Sequence, residues 1–146
     1  MFAMAAKIYA VLDTNVLVSG MFTGNPSSTT RQILDLTLEG AITPLINKEI
    51  VDEYSEVLSR DKFPFRPEDV SFVVDAFKSI GIDPGRTAAK DVNFPDPKDI
   101  VFYEVALSKE GSFLVTGNTK HFPKEPIVVT PVQMLEIIHD TLNKEE

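Results

Sequence analysis

The chain has 146 residues, of which 43% are hydrophobic and 25% charged, with no cysteine, no tryptophan and two histidines. Without cysteine there is no disulfide scaffold, zinc–thiolate site or cysteine nucleophile, and His121 and His139 are too few for a multi-histidine centre, so any metal relies mainly on oxygen ligands. The formal net charge of −8 excludes nucleic-acid binding by bulk charge alone, but is compatible with a nuclease whose carboxylates are neutralised by cations.

This length predicts one domain, residues 1–146, with a core that needs no covalent or metal staple. No run approaches the roughly 18 apolar residues needed to cross a bilayer. The apolar Met1 to Ala6 gives way to Lys7 and a strand instead of a cleavage region, so the expectation is a cytoplasmic protein.

In chain order, Lys7 to Leu12 is a short β-rich run closed by Asp13, and Gly20 to Ser28, rich in glycine, proline and small polar residues, reads as the loop after it. From Thr29 a helical pattern runs through Ile33, Leu34 and Leu38, with Ser28 or Thr29 as N-cap and Gly40 as stop. Ala41 to Ile46 is a second strand, and Asn47 caps a helix whose apolar positions are Ile50, Tyr54, Val57 and Leu58. Pro67 starts a helix through Val70, Val73, Val74, Phe77 and Ile80. Asp83 to Pro97 reads as a connecting loop with a short extended piece near Ala88, and Asp99 opens a helix ending near Gly111. Ser112 to Thr116 and Ile127 to Thr130 are strands flanking a polar loop, Pro131 begins the last helix, and Asn143 to Glu146 read as disordered. Alternation of strands and helices predicts an α/β chain with right-handed crossovers and a parallel sheet covered on both faces.

In such a sheet, functional groups gather beyond the carboxyl ends of the strands. Asp13 closes the first strand, Asn118 follows the Ser112 strand, and Asp99 opens the helix before it. Glu53 joins them from the Asn47 helix: at about 100° per residue it falls near 300° with Ile50 at zero, on the border of the buried stripe, whereas Glu49, Asp52 and Glu56 point further toward solvent. Singly, Asp13 and Asp99 also read as caps and Asn118 as a turn residue. Jointly, carboxylates converging on one crevice repel one another unless a cation sits among them, which points to Mg²⁺ or Mn²⁺ and a phosphate-bearing substrate. Arg86, Lys90, Lys98, Lys109, Lys120 and Lys124, in a stretch of net charge +1, are the local candidates for phosphate contact or are simply solvated surface.

At this point the chain resembles a known family, the PIN-domain ribonucleases, and specifically the stand-alone, VapC-like group of toxin components of toxin–antitoxin pairs. The matching segments, in family order, are Val11-Leu12-Asp13-Thr14-Asn15-Val16-Leu17-Val18-Ser19, Glu49 to Leu58, Asp96-Pro97-Lys98-Asp99 with Ala106, and Leu114 to Pro123. The resemblance implies a PIN-like three-layer α/β/α sandwich with a central, mainly parallel sheet. It also implies a metal-dependent endoribonuclease that hydrolyses RNA phosphodiesters, with Asp13, Glu53 and Asp99 as acidic ligands of one or two Mg²⁺ or Mn²⁺ ions.

By the same resemblance, Asp13 and Asp99 are the central ligands, Glu53 binds a second ion or orients water, and Asn118 stands where the family commonly has a further Asp. An amide accepts from water or ligates through oxygen, but brings no charge. Asp96 is the nearest substitute, although Pro97 after it suggests a turn. Thr14, Asn15 and Ser19 are donors near the first acid or parts of a tight turn. Lys120 and His121 reach phosphate, or His121 packs beside Phe122 and bonds a carbonyl. His139, beside Ile137 and Ile138, reads as partly buried and structural. Met21, Phe22 and Ser27 to Thr30 are candidates for a substrate or partner surface.

The implied partners are RNA, an antitoxin whose peptide occupies the acidic crevice, and a second copy in a homodimer, with no membrane. Rival readings are an RNA-processing or DNA nuclease of the same fold, a catalytically impaired binding module favoured by Asn118, and a phosphatase-like fold with Asp13 as nucleophile. The last is disfavoured by Asn15, which stands where such enzymes usually carry a second Asp.

Overall fold

The computed structural model describes residues 7–90 and 92–144, so the apolar run at 1–6 and the last two residues lie outside it. Among the described residues, four strands form one all-parallel sheet in the order β2-β1-β3-β4: β1 is Ile8–Leu12, β2 Ile42–Pro44, β3 Phe113–Val115 and β4 Val128–Val129. Among the described residues, six α-helices surround it in an α/β/α sandwich: α1 Thr14–Phe22, α2 Thr29–Leu38, α3 Lys48–Leu58, α4 Pro67–Ile80, α5 Ile100–Leu107 and α6 Pro131–Lys144. The chain leaves β1 for β2 on one side and returns to β3 on the other, so the crevice beyond the carboxyl ends of β1 and β3 is a topological switch point.

Most elements form where local chemistry places them. Ser28 accepts from Arg31 N at 3.3 Å to cap α2, Asn47 accepts from Ile50 N at 2.9 Å to cap α3, and Pro67 opens α4. The β2 strand is shorter than the Ala41 to Ile46 run, and a single parallel bridge from Leu45 to Ile82 extends it in place of the extended piece expected near Ala88. Asn143 and Lys144 belong to α6, so the part of the expected disordered tail that is described is helical.

The clearest correction is α1, where a helix replaces the expected passage from strand directly to loop. Asp13 caps it, Val16 and Leu17 are buried, and the helix continues through Gly20. Gly20 looks like a breaker in sequence, yet its missing side chain is what lets α1 lie close to α2: a Cβ there would stand 3.0 Å from Thr30 O and 3.3 Å from Leu34 Cβ. Tertiary packing thus overrides a weak local propensity.

The core is carried by β1, β3 and α5. All six residues Val101–Ala106 of α5 are buried as it packs against β1 and β3. Its one acid, Glu104, is held there by Arg86 Nε at 2.7 Å and by Ala89 N at 2.5 Å, pinning the 83–97 loop to the sheet-facing helix. Gly81, which ends α4, is packed so closely that a Cβ would collide with Phe77 O and stand 2.9 Å from Ile46 Cδ1. Gly81→Ala is therefore expected to destabilise the protein by about 1–3 kcal/mol in denaturant titration; unchanged stability would show that the α4–β2 contact is loose.

Candidate active site

The crevice at the switch point is a cleft of about 450 Å³ into which Asp13, Glu53, Asp99, Asn118 and His121 all face. They arrive from four elements: the end of β1, the flank of α3, the turn into α5, and the segment after β3. The fold thus brings positions 13, 53, 99 and 118, distant in the chain, to the walls of one cleft.

Asp13 is 7% exposed and fixed by three donors: Thr14 N to Oδ1 at 2.9 Å, and Thr116 Oγ1 at 2.8 Å and Asn15 Nδ2 at 3.1 Å to Oδ2. Asn15 Oδ1 in turn accepts from Gly117 N at 3.1 Å, and Thr116 Oγ1 accepts from Asn118 N at 3.0 Å, so the ends of β1 and β3 are stitched together around the carboxylate. Burial pushes the Asp13 carboxyl up to about 6; the Thr116 hydrogen bond opposes this and the charge of Asp99 adds to it. Asp13 is thus at once the cap of α1 and a buried acid at the cleft floor.

Glu53 is half-buried beside the fully buried Tyr54 and accepts a hydrogen bond from the Thr14 hydroxyl. Its carboxyl is raised, first by burial and then by the charge of Asp13, against the Thr14 bond. Asp99 is raised by burial and by Asp96 and Glu53, with His121 pulling the other way. The cap reading of Asp99 does not hold for its side chain, which makes no capping hydrogen bond. Its Oδ2 is buried with no hydrogen-bond partner: His121 Nδ1 stands 3.3 Å away, within ion-pair distance when the imidazole carries a proton on both nitrogens but outside hydrogen-bonding geometry.

Asn118 has φ −134°, not the left-handed backbone of a turn, and its Nδ2 lies 3.0 Å from His121 Nε2. The imidazole therefore stands between Asn118 and Asp99, and the expected bond from His121 to a backbone carbonyl is replaced by these side-chain contacts. Asp96 does serve the turn, accepting from Lys98 N at 3.0 Å. Ser19 does not line the cleft; it bonds Thr30 at 2.9 Å across the α1–α2 contact. His139 is exposed, which corrects its reading as partly buried: Ile138 is buried in the core and Ile137 packs against it, while His139 faces away. Among the basic candidates, Lys98 reaches the cleft, Arg86 is tied to Glu104 and Glu49, and Lys120 and Lys124 line a separate cavity.

Sequence reasoning missed Thr116, Arg60, Lys62 and Phe63, all of which contribute to the cleft or its floor. Arg60 was findable, since it lies seven residues after Glu53 on the same face of the helix and its following turn. Lys62 and Phe63 sit in an irregular turn with no periodicity to read.

The donor chemistry suits a hard divalent cation: the carboxylates of Asp13, Glu53, Asp96 and Asp99 line one cleft, the carboxyls of Asp13, Glu53 and Asp99 are held above their ordinary values, and Asp99 has a buried oxygen without a hydrogen-bond partner. Among the described residues, however, no three His, Cys, Asp or Glu side chains are drawn together tightly enough to enclose one ion.

The PIN domain family profile matches residues 9–120, which contain all the cleft's acids together with Asn118. The chain belongs to the PIN domain family. PIN domains have a nuclease fold, generally metal-dependent, and act on nucleic acid. No curated protein and no solved structure matches the chain. Among the described residues of this PIN domain, no helix is long and apolar enough to cross a membrane.

Proposed function

We propose that this PIN domain protein is a divalent-metal-dependent endoribonuclease, the toxin of a toxin–antitoxin pair, formed by residues 1–146 as one domain and acting in the cytoplasm as a homodimer. The observation that carries the nuclease reading is the convergence of Asp13, Glu53 and Asp99 on one cleft, where burial and mutual repulsion hold all three carboxyls above their ordinary values. Oxygen ligands of that kind would hold Mg²⁺ or Mn²⁺. Such an ion, when bound, screens the phosphate charge and makes water a stronger nucleophile near neutral pH.

The chain's own residues do the rest. Asp13 and Asp99 would hold the cation, and the three donors on Asp13 fix the direction of its carboxylate. Glu53, oriented by the Thr14 hydroxyl, positions the attacking water or a second ion. Asn118 and His121 line the same cleft beside Asp99, where they would offer hydrogen-bond donors to the departing oxygen. The toxin role and the antitoxin partner rest on the resemblance of the Asp13 and Asn118 segments to stand-alone toxins.

The test is calorimetric titration with Mn²⁺ alongside cleavage of unpaired RNA and duplex DNA. Binding of Mn²⁺ and metal-dependent cleavage of RNA support the reading; absence of both overturns it, and cleavage of DNA in preference to RNA replaces it with the rival nuclease. Asn118→Asp adds a carboxylate to the same cleft and is expected to tighten Mn²⁺ binding by about tenfold, since ligand charge tunes affinity at oxygen sites. Unchanged affinity would remove position 118 from the metal environment.

A further inference from the structure

The cleft has an acidic floor and a cationic, aromatic rim. After α3 the chain turns through Arg60, Asp61, Lys62 and Phe63, and Arg60, Lys62 and Phe63 line the same cleft as Asp13, Glu53, Asp96 and Asp99, with Lys98 lining it as well. Arg60 is committed to Glu56, with contacts at 3.2 and 2.9 Å. Among the described residues, Lys62 and Lys98 are in no ion pair, although the protein carries a net charge of −8. The Lys62 ammonium lies 5.1 Å from the centroid of the Phe63 ring, and Phe63 stacks on Phe65 at 5.5 Å and 20°.

Phe63 is a partly exposed ring lining a polar cleft, and it is braced by a second ring, Phe65. The exposed Lys62 ammonium lies over the Phe63 ring, and by swinging off that face toward a phosphate it opens the two contacts that every unpaired nucleotide can use, a charge for the phosphate and a flat surface for the base. We propose that the Lys62–Phe63 pair seats the nucleotide next to the scissile phosphate, with its base stacked on the Phe63–Phe65 shelf and its phosphate held by Lys62. The seat requires an unpaired base, because a base within a duplex has both faces covered by its neighbours. This rests on the nuclease reading above and adds to it where the strand lies and why pairing blocks it.

The absence of native tryptophan makes the test direct. Phe63→Trp installs a single reporter, whose fluorescence is expected to be quenched by a short unpaired oligoribonucleotide in EDTA and not by the same strand annealed to its complement. By fluorescence anisotropy, Phe63→Leu, which keeps an apolar contact with Phe65, is expected to weaken binding of the unpaired strand about tenfold, with Phe63→Trp retaining wild-type affinity. Lys62→Gln is expected to lower the salt dependence of binding by about one phosphate contact. Thermal melts of the variants separate loss of binding from loss of fold.

If the wild type binds and cleaves RNA while Phe63→Leu binds equally well and the indole emission of Phe63→Trp is unchanged by the strand, the seat is wrong and the nuclease reading stands. If the wild type neither binds nor cleaves, both fall.

Discussion

Asp13→Asn is expected to abolish Mn²⁺-dependent RNA cleavage, a loss of roughly 10²-fold or more, while the protein stays folded. The variant keeps the side-chain volume and an oxygen for Thr14 N, but removes the charge that the cation is needed to balance. The same substitution has a signature in stability. A rise in the Asp13 carboxyl from its ordinary 3.8 to about 6 corresponds to roughly 3 kcal/mol at about 1.4 kcal/mol per tenfold.

The sign follows from proton uptake. Between 3.8 and about 6 the folded protein holds a proton on Asp13 that the unfolded chain has released, so the stability this group contributes is fully present below 3.8 and is lost as pH rises through about 6. Glu53 and Asp99 are shifted in the same direction and reinforce the trend. Thermal melts in EDTA should therefore show the site's contribution falling from acid to neutral pH. At pH 7 Mn²⁺ should restore stability, by about 2.7 kcal/mol at a hundredfold excess over its Kd. Asp13→Asn should flatten most of the pH slope and remove most of the Mn²⁺ effect. An equal Mn²⁺ stabilisation in wild type and variant would show that the cation binds elsewhere.

Tyr54→Ala is expected to cost about 3–5 kcal/mol, a large share of the roughly 5–15 kcal/mol that holds an ordinary domain together, and to lower Tm by on the order of 10 °C. Tyr54 is completely buried, with its ring edge-on to Phe77 at 5.7 Å and tilted against Phe102 at 6.3 Å. Its hydroxyl donates to Leu12 O at 2.5 Å. That bond ties the helix bearing Glu53 to the strand that ends at Asp13, so one buried side chain sets the spacing of two of the acids.

Tyr54→Phe isolates the tie from the packing. It is expected to cost about 1–3 kcal/mol and to weaken Mn²⁺ binding, while the ring contacts persist. Denaturant titration and calorimetry together check it; a variant as stable and as tight as wild type would mean that the hydroxyl does not position the cleft.

Elements with strong local signals were legible before any coordinates. Ser28, Asn47 and Pro67 announce their helices through the backbone groups they satisfy or omit, and the spacing of Ile50, Tyr54 and Leu58 places Glu53 at the edge of the buried stripe. The α1 helix was not legible, because its helicity depends on Gly20 fitting against Thr30 and Leu34. Glu104 was equally hidden: an acid in an apolar helix gives no hint that Arg86 and Ala89, fifteen or more residues away, will satisfy it.

By itself the sequence determined the chemistry available here: oxygen ligands without cysteine, carboxylates at strand ends and a helix flank, and alternation that makes a parallel sheet. These follow from residue identity and local periodicity, which act within a few turns of chain. The tertiary arrangement alone sets that Asp99 lines the cleft with one carboxylate oxygen buried and without a hydrogen-bond partner, that Thr116 and Thr14 brace Asp13 and Glu53, and that Lys62 and Phe63 line the same cleft. Those are contacts between distant segments, set by how the helices close over the β1–β3 crevice, and no local pattern encodes them.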